Sequence, residues 1–186
     1  MSVDALISKF LYQGLITVSN IEKALGLEAP ASKLISQQII ELEKIFLSTV
    51  DYTKVIIKAG NSYLLTASKR AFVMGNTIYM PRETYTMSLL VHEMVHIWQY
   101  QNKGYDYISK SLRGQYLGEG YDFVKGIERG KLWIELNPEQ QASLIEQAYI
   151  SGFFHGADRA FIYQRKDFTK YLKESLEQLR NGKVTS

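Results

Sequence analysis

An α+β domain is what this sequence predicts, and three observations predict it. Apolar residues recur at three- and four-residue steps in segments near both ends of the chain, the mark of helices with one buried face. Between them the period becomes that of strands: Val55-Ile56-Ile57 is a β-branched run, and residues 71–74 and 77–80 flank Gly75-Asn76, a turn pair suited to a hairpin. Finally, there is neither proline nor glycine from Arg82 to Lys103, and Met87, Leu89, Leu90, Val91, Met94, Val95, Ile97 and Trp98 crowd into that stretch. A mostly buried helix is therefore expected directly after the hairpin.

Taken in order, Val3, Leu6, Ile7, Phe10 and Leu11 mark a first helix over residues 3–13, ended by Gly14. Ser19-Asn20-Ile21-Glu22 offers a capping box for a short second helix that stops at Gly26. Pro30 introduces a longer helix over about 31–47, with Leu34, Ile35, Ile39, Leu42, Ile45 and Phe46 in its buried stripe. Residues 52–58 read as a strand closed by Gly60-Asn61, and Pro81 stops the hairpin that follows.

Gly104 is placed to end the apolar helix, and a further helix over 105–117 would turn Tyr107, Ile108, Leu112 and Tyr116 inward. Gly118, Gly120, Gly126 and Gly130 then predict a loop-rich passage around Tyr121, Phe123 and Trp133. Asn137-Pro138-Glu139-Gln140 is a clear helix start, with Asn137 as N-cap, Pro138 at the first helical position and Gln140 completing the box. That helix is expected to run to about Phe153. Residues 167–179 form a last amphipathic helix burying Phe168, Tyr171, Leu172, Leu176 and Leu179, capped by Gly182 and followed by a frayed tail at 184–186. The expected organisation over residues 1–186 is one domain: a helical N-terminal layer (1–48), a core (52–156) and a C-terminal helix (157–186).

Composition narrows the function. A length of 186 residues with 46% hydrophobic and 22% charged residues is that of a globular domain able to bury a substantial core. The net charge of +3 is small and dispersed, which argues against a nucleic-acid partner. No apolar run has the length of a membrane span, so no membrane partner is expected. The first residues lack a secretory signal, and there is no cysteine, so disulfides and thiolate metal sites are excluded. A cytoplasmic location fits.

The chemistry is concentrated in Val91-His92-Glu93-Met94-Val95-His96, an H-E-x-x-H motif. Residues four apart on a helix lie one above the other, roughly 5–6 Å apart at Cβ, so His92 and His96 can present nitrogens to one Zn²⁺. Glu93 sits one step round, suited to act as general base on a water that the metal acidifies. The chain holds only three histidines, and two of them fall at this spacing.

Catalytic zinc normally takes three protein ligands, and without cysteine the third must come from a carboxylate or from His155. The helix beginning at Pro138 places Glu139, Ala142, Ser143, Glu146, Ile150 and Phe153 on one side. Glu139 as ligand, with Glu146 behind it orienting a histidine or a neighbouring group, accounts for two carboxylates on that face. Glu146 is the runner-up as ligand, followed by Glu119, Asp122, Glu135 and His155. A donor to the oxyanion of a tetrahedral intermediate is also required, for which His155, Tyr149 and Tyr121 are candidates.

The stretch around His92 resembles the active-site helix of the zincin metallopeptidases. Residues 75–81, 89–101 and 137–142 are also similar to metallopeptidase-like domains found in or beside bacterial Rhs and Vgr secretion proteins; the span covered, 71–154, is under half of the chain. The resemblance implies a zincin-like domain with a small sheet beside the H-E-x-x-H helix. It implies a zinc-dependent peptidase with a peptide or protein substrate, or alternatively a weakly active or inactive zincin-shaped binding or delivery module. The module would belong to a bacterial secretion or toxin system, and for either reading the resemblance leaves open, beside a cytoplasmic location, export by a secretion system that needs no signal peptide.

Some short zincins take their third ligand from E-x-x-A on a later helix, which Glu139-Gln140-Gln141-Ala142 matches. The resemblance further implies that the last strand before the helix, Thr77–Met80, pairs with extended substrate. The chain departs from the metzincin pattern, since Gln99 and Asn102 stand where its glycine and third histidine would be.

Overall fold

The computed structural model describes residues 13–14, 16–18, 20–21, 23–27, 29–60, 70–81, 85–103, 120–156 and 158–182. The expected first helix (3–13), but for residue 13, lies outside them, as do the expected helix over 105–117, the caps at Ser19, Glu22 and Gly104, and the tail at 184–186. The architecture is α+β.

A four-stranded sheet is built from β1 (Ala31–Ser32), β2 (Ile56–Ala59), β3 (Phe72–Met74) and β4 (Thr77–Met80), in the order β1-β2-β4-β3. The hairpin of β3 and β4 turns on Gly75, whose φ of 63° no branched side chain adopts cheaply. β4 also pairs along its whole length with β2, in parallel. Its side chains alternate as a strand's must: Ile78 and Met80 enter the main core, while Tyr79 points to the opposite face beside Met74 and stacks on Phe72 at 4.8 Å. Ile16 and Val18 of the N-terminal helical segment cover that second face.

The longer helices pack on the first face. They are α1 (Ser36–Phe46), α2 (Met87–Lys103), α4 (Pro138–Ile150) and α5 (Thr169–Arg180), with the short α3 (Phe123–Glu128) ahead of α4. Leu90, Val91, Met94, Val95, Ile97 and Trp98 of α2 are all fully buried, so this helix is the hydrophobic axis of the molecule. Burying a side chain of that size stabilises the fold by about 1.5–3 kcal/mol. α5 is docked directionally as well as by its Leu172, Leu176 and Leu179. The Trp98 indole donates to the Leu179 carbonyl at 3.1 Å, and the Arg180 guanidinium donates to the Lys44 and Ile45 carbonyls that end α1.

Several expectations are corrected. Ala31 and Ser32 are a strand, not the start of a helix, because their backbone pairs with β2, the Ser32 hydroxyl donates to the Ile57 carbonyl and Lys33 reaches the Thr53 carbonyl. The helix begins at Ser36, where Gln38 Oε1 accepts from the Ile35 N–H; Ile35 itself is exposed, not part of the buried stripe. Residues 52–54 are a 3₁₀ turn, and the strand starts at Ile56. Gly14 lies among helical residues and does not end a helix.

Gly126 is inside α3, where an added Cβ would stand 2.6 Å from Leu136 Cδ2; the glycine marks close packing, not a loop. α4 ends at Ile150, which is exposed, so the buried face does not extend to it. A hairpin of β5 (Ile162–Tyr163) and β6 (Lys166–Asp167), which the sequence did not announce, precedes α5.

Candidate metal centre

The centre is where α2 and α4 meet. The Asn137 side chain accepts from the Gln140 N–H at 2.9 Å and the Gln140 side chain accepts from the Asn137 N–H at 3.1 Å, so the start of α4 is fixed and Glu139 falls in its first turn. Glu146 lies seven residues on, two turns further along the same face. Advancing along α2 from His92 to Gln99, the partners run back along α4 from Glu146 to Pro138, so the two helices are antiparallel.

This crossing brings His92, His96 and Glu139 together. Each offers a ligand atom within 4.8 Å of the others, and all three residues are buried. His92 Nε2 lies 3.5 Å from one Glu139 oxygen and His96 Nε2 lies 3.5 Å from the other. The far nitrogens are engaged: His92 Nδ1 is 2.9 Å from Glu146 Oε2, and His96 Nδ1 is 2.8 Å from Gln99 Oε1. His92 Nδ1 faces a carboxylate and so donates to it, and both Nε2 atoms point to the space beside Glu139.

Burial and charge oppose each other here. Burial pulls the His92 imidazole down, but hydrogen bonds to Glu139 and Glu146 and the charge of Glu93 outweigh it and lift the group to about 10. His96 is likewise pulled down by burial and raised on balance by Glu139 and Glu93. Burial pushes the Glu93 carboxyl up. Its Oε2 is sealed from solvent and has no hydrogen-bond partner among the described residues. An acceptor left in that state costs about 1–3 kcal/mol or more unless a further group engages it. Two imidazole nitrogens and a buried carboxylate are a donor set that fits a divalent cation with nitrogen and oxygen ligands, and Glu93 stands beside it as a second buried carboxylate.

The other sequence candidates fall elsewhere. Asp122 caps α3 through the Lys125 N–H, Glu135 accepts from the Leu132 N–H, and His155 meets Glu41 at 3.2 Å while lying edge-on to Tyr149. Glu119 is outside the described residues. Thr77–Met80 cannot take an extended substrate by backbone pairing, because β4 is bonded to β2 on one side and β3 on the other.

Tyr121 does reach the centre: its ring lies 6.0 Å from that of His92, tilted by 44°. It is pinned from both sides by the start of α4, since Asn137 Nδ2 donates to the Gly120 carbonyl and Gln140 Nε2 donates to the Asp122 carbonyl. Burial, and after it the charge of Glu139, raises its phenol. Gln99 and Gln141 were not anticipated as site residues. The sequence signal was their place: Gln99 three residues after His96, on the face of the two histidines, and Gln141 two after Glu139, beside Pro138, Leu144, Ile145 and Ala148 on an otherwise apolar face.

No protein-family model matches the chain, and no curated protein matches it. Among solved structures it is similar to the effector domain of Pseudomonas aeruginosa VgrG2b, with 16% identity, 100% of each chain covered and a TM-score of 0.48. That likeness is too loose to decide anything about the site.

Proposed function

We propose that this domain is a zinc-dependent peptidase in which His92, His96 and Glu139 hold the metal and Glu93 is the general base. The single observation that carries the reading is the convergence of three buried ligand atoms from two helices, beside the buried and unengaged Glu93 Oε2. Zinc held there supplies a Lewis acid, which polarises a carbonyl and brings the pKa of a water to about 7.

The protein's own groups supply the rest. Glu93, kept at a raised pKa by burial, takes a proton from the attacking water and passes it to the leaving amine nitrogen. Glu146 and Gln99 hold the imidazoles with their Nε2 atoms toward Glu139. Tyr121, fixed over His92, donates its phenolic hydrogen to the carbonyl oxygen as that oxygen gains charge. A peptide as substrate, and a place in a bacterial secretion system, rest on the sequence resemblance alone. No helix among the described residues is long and apolar enough to cross a membrane.

The test is hydrolysis of denatured casein by the zinc-loaded protein. Wild type is expected to cleave it, Glu93→Gln to keep its zinc and lose roughly 10²–10⁴-fold in rate, and His92→Ala to lose both. Equal hydrolysis by all three would overturn the reading.

A second reading, a delivery or binding module that keeps the metal for stability, is favoured by one feature: the ligands bridge α2 and α4, so a bound ion would staple the two central helices. Zinc at 1,000 times its dissociation constant would then stabilise the fold by about 4 kcal/mol without any turnover.

A further inference from the structure

We infer that Gln99 and Gln141 form a one-way hydrogen-bond relay that fixes His96 as the Nδ1–H tautomer and so commits it to ligate through Nε2; this rests on the metal-site reading above. The argument is one of polarity. Trp133 presents a backbone carbonyl, which can only accept, and Gln141 Nε2 donates to it at 2.8 Å. The orientation of the Gln141 amide is thereby set, and its Oε1 faces Gln99.

Gln99 Nε2 then donates one hydrogen to Gln141 Oε1 at 2.9 Å and the other to the Pro138 carbonyl at 3.2 Å. Both hydrogens are used, so the atom left for His96 is Oε1, 2.8 Å from Nδ1. An oxygen there requires the hydrogen to be on Nδ1. Turning the Gln99 amide over would set its oxygen against two other oxygens and its hydrogens against the imidazole N–H. Gln99 and Gln141 are both buried, so water does not stand ready to repair the mismatch.

The relay also sets distance. Its two anchors on α4, Pro138 and Gln141, flank Glu139, so the chain of bonds that orients His96 is fastened to the same turn that carries the carboxylate 3.5 Å away. The two histidines are thus held differently, His92 by a carboxylate of α4 and His96 by a neutral amide whose direction is dictated by backbone carbonyls. Gln99 and Gln141 are positioning residues: neither holds the metal.

The experiment combines ¹⁵N NMR of the histidine rings with zinc affinity measured by chelator competition on the whole chain. In zinc-loaded wild type, His96 is expected to show a hydrogen on Nδ1, slow to exchange, and a metal-bound Nε2. A hydrogen on Nε2 with Nδ1 as ligand overturns the relay, and this needs no variant to fold.

Gln99→Met is expected to weaken zinc roughly 10–100-fold. Gln141→Met is expected to lose part of that, and the double variant to be no weaker than Gln99→Met, whereas Glu146→Gln, acting through His92, adds its loss in full. Unchanged affinity in Gln99→Met, or losses that simply add between Gln99 and Gln141, overturn the relay while leaving the metal site standing. Wild type that takes up no zinc overturns the metal reading itself, and the relay with it.

Discussion

Glu146 Oε2 stands 2.9 Å from His92 Nδ1, two turns along α4 from Glu139. One helix therefore approaches His92 from both ends of its ring, with Glu139 at Nε2 and Glu146 at Nδ1. A carboxylate behind a ligating imidazole raises its basicity and fixes its orientation. Glu146→Gln keeps an acceptor oxygen and removes the charge. Zinc affinity is expected to fall by about 10-fold, the low end of such effects. Competition with a chelator checks this, and an unchanged affinity would leave Glu146 a bystander.

The pH dependence of the metal-free protein follows from the same pair. The folded-state pKa of His92 is raised from 6.5 to about 10, so its proton stabilises the folded state. That contribution is complete below about pH 6.5 and is lost as pH climbs through 10. The melting temperature of metal-free protein is therefore expected to fall between pH 7 and pH 10, and that of zinc-loaded protein, whose His92 has already given up the proton, to fall less. Calorimetric titration in buffers of different ionisation enthalpy should find at least about one proton released per zinc near neutral pH. Zinc binding with no proton release would contradict the charge balance assigned to the site.

Tyr121 is clamped through the carbonyls on either side of it and leans over His92. Tyr121→Phe keeps the ring and removes the phenolic donor. Its kcat on a casein-derived peptide is expected to fall about 10²-fold, the scale of one oxyanion donor, with zinc content and melting temperature unchanged. A variant that loses zinc instead would make Tyr121 part of the wall and not of the chemistry.

Gly126 faces Leu136, which is fully buried. Replacing a helical glycine by a larger residue gains up to about 1 kcal/mol of propensity, and less for a β-branched one, while overpacking costs about 1–3 kcal/mol. For Gly126→Val the packing term wins. Urea unfolding should show a net loss of roughly 1–2 kcal/mol with an unchanged slope; a stabilised variant would mean that α3 can move off Leu136.

The parts of the fold legible in the sequence are those that local chemistry decides. The Asn137-Pro138-Gln140 start of α4 and the Gly75-Asn76 turn are each specified by neighbouring residues, and both are present. What local pattern missed is set by distant partners. The β5–β6 hairpin turns on Gln164 and Arg165 with φ of 50° and 64°, values that ordinarily call for Asn-Gly. It is held by what lies at its base: Phe161, Tyr163 and Phe168 around Phe123, and the Phe168 N–H donating to the Phe161 carbonyl.

Ala31 and Ser32 are drawn into a strand by β2, which no helical period could announce. At the site, His92, Glu93 and His96 are marked by spacing. Gln99 and Gln141 are visible only once α2 and α4 are packed, because an amide gains its meaning from which carbonyls it meets.

The most direct measurement is the position of the metal. In a crystal of the zinc-loaded protein, an anomalous difference map at the zinc edge is expected to show one strong peak about 2.0–2.2 Å from His92 Nε2, His96 Nε2 and a Glu139 oxygen. A zinc peak bound by other residues, or none at full zinc loading, would contradict the account.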